Sequence, residues 1–206
     1  MTATPAFKRA PFRAVRFGPA DTVLERRGDG SLVLRSPHAL PGYARCVTEP
    51  LAHWAARRPD QTYLAERTTT GAWRRLTYAE AWSQVRGIAA GLMMRGLSAE
   101  RPLVVLSGND IEHALLALAA MHVGIPVAPV SVAYSLVSRD FEKLRYIFDL
   151  LQPGLVFAAS GSAFARAIDA VVPAGTELAV TRGAPAHRRA TLFHDLHSTI
   201  GPMVEA

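Results

Sequence analysis

Short apolar runs alternate with amphipathic segments along most of the chain. The runs place apolar residues in succession, which is typical of strands buried on both faces, and segments with helical periodicity separate them. Such an alternation of strands with helices of about 10–15 residues predicts an α/β fold, a mostly parallel sheet flanked by helices. The predicted strands lie at 103–106, 125–130, 155–158 and 178–181, and the predicted helices at 77–95, 111–123, 138–151 and 162–171.

The first long helix carries the clearest local signals. Thr77 and Glu80 have the spacing of a capping box, in which each side chain accepts a hydrogen bond from the other residue's backbone amide. Gly96 stands where a left-handed C-terminal cap is needed. Between these ends, apolar residues recur at intervals of three and four, as on one face of a helix: Ala81, Val85, Ile88 and Leu92.

Polar residues also mark the starts of other helices. Thr48 is the predicted N-cap of a helix at 49–57, and Asn109 or Asp110 caps the helix that follows the strand at 103–106. Ser138 is the predicted N-cap of the helix that ends at residue 151.

The first 45 residues have the pattern of an extension, and an α/β subdomain is predicted over 46–206. Two extended runs, 22–26 and 31–35, are joined through Gly28-Asp29-Gly30, which is a hairpin signal. Proline and glycine residues then mark a linker. Two further extended runs precede the first long helix, at 61–67 and 72–77.

Composition excludes several classes of protein. The 206 residues are 50% hydrophobic, which excludes intrinsic disorder. The single cysteine, Cys46, excludes an internal disulfide and a zinc site built from several cysteines. Residues 113–138 include no charged side chain, but Gly124, Pro126 and Pro129 interrupt them, so a buried helix and strand are predicted there instead of a membrane span. Without the apolar segment of a secretory signal, the chain is expected to be cytoplasmic.

The net charge of +6 does not indicate a nucleic-acid interface. The basic residues are 21 arginines and two lysines, Lys8 and Lys143, and the arginines occur singly or in pairs. Acidic residues lie between most of them, and no aromatic residues alternate with them, so the pattern favours scattered, solvated side chains.

Two loops follow predicted strands at their carboxyl ends, where α/β proteins bind ligands. Ser160-Gly161-Ser162 can offer backbone amides to an anion or form a plain turn. Gly108-Asn109-Asp110 can bind a ligand or only turn the chain and cap a helix. Neither loop has the spacing of a glycine-rich phosphate-binding loop.

Histidine and cysteine give no complete catalytic or metal site in the sequence. His194 and His197 are three residues apart, with Asp195 between them, so they could share a helical face and a metal ion. No third ligand lies nearby, and exposed polar residues of a terminal helix are the alternative. Cys46 has no histidine partner within its sequence neighbourhood, so no catalytic residue is assigned.

Three segments carry a family resemblance. Leu76-Thr77-Tyr78-Ala79-Glu80 has the form L-T-Y-x-E, and Asn109-Asp110-Ile111-Glu112-His113 is followed by Gly124-Ile125-Pro126-Val127-Ala128-Pro129. These segments resemble motifs of the adenylate-forming superfamily, which comprises acyl-CoA synthetases, luciferases and peptide-synthetase adenylation domains. The loop Ser131-Val132-Ala133-Tyr134-Ser135-Leu136-Val137-Ser138 looks closest to that of feruloyl-CoA synthetases.

The resemblance implies a fold, an activity and a set of cofactors. The chain is expected to form the N-terminal part of the large domain of an adenylate-forming enzyme. Such an enzyme uses ATP and Mg²⁺ to convert a small carboxylic acid, here of the hydroxycinnamate type, to an acyl-adenylate, and transfers the acyl group to coenzyme A. By analogy Ser131 and Tyr134 lie on the coenzyme A side, and a purely structural turn is the alternative for these two residues. The resemblance assigns no catalytic residue and no metal ligand.

The catalytic motifs of that family have no counterpart in these 206 residues. The phosphate loop, of the form [YF]-T-S-G-[ST]-T-G-x-P-K, does not occur, and neither lysine stands in a catalytic motif. The chain is therefore expected to be an incomplete AMP-binding domain that is inactive alone and binds none of ATP, Mg²⁺ and coenzyme A tightly. It is expected to self-associate or to pair with a C-terminal half. Two alternatives stay open: a non-catalytic assembly module that pairs with another chain, and a small independent nucleotide-binding protein.

Overall fold

The computed structural model describes residues 15–199, 201 and 204, which divide into two compact units between Tyr43 and Ala44. The first unit contains an antiparallel hairpin, β1 (Val23–Arg26) and β2 (Leu32–Arg35). The turn between the strands contains Gly30, whose φ of 86° is in the left-handed region that favours glycine. The hairpin predicted through Gly28-Asp29-Gly30 is confirmed.

The second unit is an α/β domain with a separate antiparallel hairpin. Its strands are β3 (Thr62–Arg67), β4 (Trp73–Thr77), β5 (Leu103–Val105), β6 (Val127–Pro129), β7 (Leu155–Ser160), β8 (Glu177–Arg182) and β9 (Thr191–Leu192). Its helices are α1 (Glu49–Arg57), α2 (Tyr78–Met94), α3 (Ile111–His122), α4 (Ala133–Leu136), α5 (Glu142–Leu151), α6 (Ala165–Val171) and a 3₁₀ turn at Phe193–Leu196.

Five parallel strands form the central sheet in the order β6-β5-β7-β8-β9. Successive side chains of β5 face opposite layers: Leu103 and Val105 pack against α2 and α3, whereas Val104 and Leu106 pack with α5 and α6. Both faces are therefore covered, which is why the strands are apolar without alternation. The predicted α/β class is confirmed.

Helix α2 begins and ends as its sequence predicts. The Thr77 hydroxyl accepts a hydrogen bond from the Glu80 amide at 3.2 Å, and the Glu80 carboxylate accepts one from the Thr77 amide at 2.8 Å. Gly96 has a φ of 67°, in the left-handed region. The predicted apolar stripe is completely buried, because it faces the sheet and α3.

Thr48 is the N-cap of α1, and the helix spans the predicted residues 49–57, so this prediction is confirmed. The Thr48 side chain makes no capping hydrogen bond, because its hydroxyl bonds to Cys46 and His122. The predicted cap at Ser138 is wrong. Ser138 does not start α5. Its hydroxyl accepts the Phe141 amide at 3.1 Å, Phe141 takes a left-handed φ of 57°, and the helix begins only at Glu142.

Several predicted boundaries differ from those of the structure. The residues from Ser162 to Phe164 form a turn, so α6 is shorter than the predicted helix at 162–171. His194 lies in the 3₁₀ turn after the two-residue strand β9, and His197 directly follows that turn in an extended conformation, so the two histidines do not share a helix. Helix α4 has only four residues, too few for a periodic signal in the sequence.

The segment after β9 packs closely on α2 at two glycines. A Cβ atom at Gly91 would collide with the backbone carbonyl of Leu196, and one at Gly87 would lie 3.0 Å from His197 Nδ1. The Ser198 amide donates to the Gly87 carbonyl at 3.0 Å. The sequence G-x-x-x-G in α2 is therefore a contact surface for the C-terminal part of the domain.

Within the described residues, no helix is long and apolar enough to cross a membrane. The uncharged stretch 113–138 contains most of α3, followed by β6 and α4. Gly124 and the prolines divide it into these short elements, as the sequence indicates.

Candidate functional site

The two loops singled out in the sequence lie at the switch point of the parallel sheet. The chain leaves β5 through α3 and returns as β6 on one side of β5, whereas β7 pairs on the other side and continues to β8. In open α/β sheets the crevice outside such a pair of strands is the usual ligand site. The loops 107–110 and 160–162 follow β5 and β7, which are neighbours, so the topology brings them together.

The loop after β7 is a tight turn. The Gly161 amide donates to the Arg182 carbonyl at 3.0 Å, and the Ala163 amide donates to Ser160 Oγ at 3.4 Å. A Cβ atom at Gly161 would lie 2.7 Å from the Gly183 carbonyl oxygen, so glycine is required by packing. The amides of Gly161 and Ala163 are thus used within the fold, and of the two sequence interpretations these contacts support the plain turn.

The loop after β5 caps α3 and borders a cavity. Asp110 Oδ1 accepts the His113 amide at 2.7 Å, so of the two predicted caps it is Asp110 that caps α3. Burial raises the pKa of the Asp110 carboxyl above its ordinary value, an effect that the His113 amide opposes and the nearby Glu112 carboxylate reinforces. The cavity, of about 360 Å³, lies between this loop and β3.

An ion-pair network holds the β3–β4 hairpin against the start of α3. Arg74 binds both oxygens of Glu112, at 2.7 and 2.8 Å, and Glu66 Oε1 at 2.9 Å. Glu66 Oε2 also accepts the Ile111 amide at 2.9 Å. Hydrogen bonding to Glu112, whose residue is only 7% exposed, raises the pKa of the Arg74 guanidinium. No sequence pattern indicated this network, because 38 positions separate Arg74 from Glu112 and 45 separate Glu66 from Ile111.

The loop after β6 contains both residues that the resemblance placed near coenzyme A. Ser131 is exposed and its carbonyl accepts the Tyr134 amide at 3.0 Å, which starts α4. Tyr134 is half-buried, and Lys143 Nζ lies 5.5 Å from the centre of its ring. Tyr134 and Lys143 line a cavity of about 380 Å³ together with Glu142, Tyr146 and Ile147, whereas Ser131 lies outside this lining.

The histidine pair does not form a metal site. His194 lies 3.3 Å from its neighbour Asp195, and His197 packs edge-on against Phe193. Burial lowers the pKa of His197, and the nearby His194 adds to that effect. Across residues 15–199, 201 and 204, no three His, Cys, Asp or Glu side chains converge on a point where a metal could bind.

In the fold, Cys46 is linked to a histidine through the side chain of Thr48, a connection that the sequence does not indicate. Cys46 Sγ lies 3.2 Å from Thr48 Oγ1, which lies 2.8 Å from Nδ1 of His122, 74 positions away in the sequence. The other ring nitrogen of His122, Nε2, lies 2.9 Å from the Val204 carbonyl oxygen. The Thr48 hydroxyl lowers the pKa of the Cys46 thiol more than burial raises it.

Comparison with known proteins identifies related sequences and folds. The family model described as AMP-binding enzyme matches residues 51–198. A long-chain-fatty-acid–CoA ligase, FadD15 of Mycobacterium bovis, is 31% identical over 106 residues, which are 51% of this chain and 17% of that protein. This chain thus spans about a sixth of the length of the curated relatives that it matches.

Two solved structures illustrate the similarity of fold. A benzoate CoA ligase from Burkholderia xenovorans superposes with a TM-score of 0.58 at 20% identity, over 74% of this chain and 28% of that one. A fatty acyl-adenylate ligase from Legionella pneumophila, crystallised with acyl adenylate and pyrophosphate, gives 0.53 at 14% identity, over 75% and 24%. At such identities the likeness concerns the fold.

Proposed function

Because the chain belongs to the AMP-binding enzyme family, we propose that it forms the amino-terminal α/β part of an ATP-dependent acid–CoA ligase. The observation that carries this proposal is the match of the family model to residues 51–198, which run from α1 to just beyond the 3₁₀ turn and include the whole parallel sheet. The curated relatives are long-chain-fatty-acid–CoA ligases, which supports the reaction class.

The reaction of such a ligase has two steps. The carboxylate attacks the α-phosphorus of ATP, which forms an acyl-adenylate and releases pyrophosphate, and the thiol of coenzyme A then displaces AMP. The 206 residues contain no glycine-rich phosphate loop. Among the described residues, no three His, Cys, Asp or Glu side chains form a group that could hold a metal ion. The part played by this segment is therefore to build the sheet and its loops, with adenylate formation left to residues outside it.

Within this scheme the loop after β6 faces coenzyme A. Tyr134 presents a half-buried ring on which an adenine can stack, and the Lys143 ammonium beside it can pair with a phosphate. The cavity of about 380 Å³ next to both residues gives the nucleotide room. Ser131, at the exposed end of β6, can contribute a hydroxyl at the rim.

For the acyl group we propose a hydroxycinnamate, on the similarity of residues 131–138 to the corresponding loop of feruloyl-CoA synthetases. The curated relatives favour a second candidate, a long-chain fatty acid. The partner for either acid is a C-terminal half that carries the phosphate loop, and the site of action is the cytoplasm.

An activity assay tests whether this segment can carry out the ligase reaction without the rest of a ligase. The purified chain is incubated with ferulate or palmitate, ATP, Mg²⁺ and coenzyme A, and thioester and AMP are quantified. The expected result is no product above the protein-free background, because no residues here stabilise the charge that develops on the phosphates. Sustained thioester formation by the 206-residue chain would overturn the proposal.

A further inference from the structure

The chain leaves the core of the domain directly after the 3₁₀ turn. Phe193 and Leu196 of that turn are buried in the core, and His197, which follows them, has extended backbone with a ψ of 145°. We name residues 197–199 the exit segment. It lies against the middle of α2, where a Cβ atom at Gly87 would nearly touch the His197 ring.

Few contacts hold the exit segment on α2. The Ser198 amide donates to the Gly87 carbonyl at 3.0 Å, and the Ser198 hydroxyl donates to Met94 Sδ at 2.7 Å. The turn before it is held more firmly, because Phe193 and Leu196 anchor it in the core. The exit segment can therefore open locally, with the turn as its hinge, while the core stays packed.

The largest side chain of the exit segment, that of His197, packs on α2. Its ring is half-buried, lies edge-on to the Phe193 ring at a centroid distance of 6.2 Å, and places Nδ1 3.0 Å from the position of a Cβ at Gly87. Among residues 15–199, 201 and 204, no group makes a hydrogen bond with either ring nitrogen. A neutral ring tolerates such surroundings better than an imidazolium, which carries a positive charge and a second N–H donor.

The charged groups on the packed elements do not favour an imidazolium at position 197. The 3₁₀ turn contacts α2, β8 and β9, and β9 has no charged residue. The charged side chains of the turn, of α2 with its C-cap and of β8 are those of His194, Asp195, Glu80, Arg86, Arg95, Glu177 and Arg182. The three carboxylates among them already have partners, in the capping box of α2, on Arg95 and on His194.

Both burial and charge make the packed ring resist protonation. Burial lowers the pKa of His197 below its ordinary value of 6.5, and the charge of His194 lowers it further. The ring therefore binds a proton less readily on α2 than in an opened segment. It follows that the packed form is fully favoured above pH 6.5 and loses that advantage as the pH falls below this value.

We propose that protonation of His197 releases the exit segment from α2, so that the course of the chain after Leu196 depends on pH. The neutral ring packs on the helix, and a proton from water binds the ring when the segment opens and holds it open, since the imidazolium is better solvated there. This device lies apart from the loop after β6 and does not rest on the proposed ligase function.

Amide hydrogen exchange of the ¹⁵N-labelled chain tests the proposal. The rates at pH 7.5 and pH 5.5 are expressed as protection factors, which removes the intrinsic pH dependence of exchange. The protection of the Ser198 amide should fall several-fold and by no more than about tenfold, the limit for one proton bound only by the opened ring. The amide of Leu92, inside α2, should keep its protection, because the helix does not open.

Two variants and a control identify the titrating group. His197→Asn keeps a polar atom near the position of Nδ1, and His197→Phe keeps a ring against Phe193. Neither side chain titrates, so the protection of the Ser198 amide should be independent of pH in both. His194→Asn, at an exposed histidine three positions earlier, is the matched control and should retain most of the fall.

Three results would overturn the proposal. Equal protection of the Ser198 amide at both pH values in the unmodified chain would show that the segment is not released. A fall that persists in both His197 variants, or that disappears in His194→Asn, would assign the titration to another group. A parallel fall at the Leu92 amide would show that the domain unfolds as a whole instead of opening after the turn.

Discussion

At the scale of single residues, the thiol of Cys46 is linked to an imidazole through a buried hydroxyl. Thr48 is 1% exposed and connects Cys46 with His122. The sequence could not indicate this link, because 74 residues separate Thr48 from His122 and nothing in the local pattern of either position refers to the other. Only the packing of α1 against α2 and α3 brings the three side chains together.

Thr48→Val should slow the alkylation of Cys46. The Thr48 hydroxyl lowers the thiol pKa, so at a given pH between 7 and 8 the unmodified chain holds more of the reactive thiolate than a variant without the hydroxyl. The pH at which the rate of reaction with iodoacetamide is half-maximal should therefore rise in Thr48→Val and stay nearly unchanged in Thr48→Ser. The measurement is simple because Cys46 is the single cysteine.

Equal pH profiles for the unmodified chain and Thr48→Val would show that the hydroxyl does not stabilise the thiolate. A rise of similar size in Thr48→Ser would show that the effect comes from packing and not from the hydrogen bond.

Arg74→Met should destabilise the domain by about 2–3 kcal/mol, because it leaves a buried carboxylate without its charged hydrogen bonds. Glu112 makes both of its Arg74 contacts at 2.8 Å or less and is 7% exposed. The free energy of unfolding in urea at neutral pH measures the loss. Arg75→Met, on the opposite face of the same strand, is the control and should change stability by less than about 0.5 kcal/mol. Equal effects of the two substitutions would contradict the assigned role of the ion pair.

At the scale of elements, helical periodicity and strand composition predicted most of the α/β domain. Helix α2 is the best case, because its capping box, its apolar stripe and its terminal glycine agree with one another. The predicted cap at Ser138 was wrong because its hydroxyl accepts the Phe141 amide in a turn that precedes the helix. Thr48 is the N-cap of α1 as predicted, but its hydroxyl bonds to a distant group, His122, instead of an amide of the next turn. Local sequence does not tell which partner a hydroxyl takes.

Two glycines of α2 provide a graded test of its packing. Gly91→Ala should cost about 2–4 kcal/mol, since the new methyl group would meet the rigid backbone of Leu196. The methyl group of Gly87→Ala would meet the His197 side chain, which can move. Alanine also favours the helix over glycine by about 1 kcal/mol, so the free energy of unfolding of this variant should change little. Thermal or urea unfolding measures both. A Gly91→Ala variant as stable as Gly87→Ala would show that the segment 193–198 is not held against α2.

At the scale of the whole molecule, the sequence predicted where the two candidate ligand-binding loops lie, but not whether each of them is a binding loop or a plain turn. Strand order places the loops after β5 and β7 side by side, as the carboxyl-end rule suggests. Their roles differ for a reason that only tertiary contacts reveal. The loop at Gly161 uses its amide on Arg182, whereas the loop at Asp110 borders an open cavity.

The fold also places Lys143 beside an aromatic ring, which its position in the sequence does not indicate. In the sequence it stands in no catalytic motif, directly before Leu144 of the apolar pattern. The turn of the chain after β6 brings its ammonium to 5.5 Å from the Tyr134 ring. The combination of a cation and an aromatic face in one cavity supports the proposal that this side of the domain binds coenzyme A.

The most direct test of that proposal is calorimetric titration of coenzyme A into the 206-residue chain. Saturable binding is predicted, with affinity reduced about tenfold in Tyr134→Ala and in Lys143→Gln and unchanged in Tyr43→Ala, a tyrosine of the other unit. Binding that survives both substitutions, or the absence of any binding by the folded chain, would contradict the account of this segment as the coenzyme A side of an acid–CoA ligase.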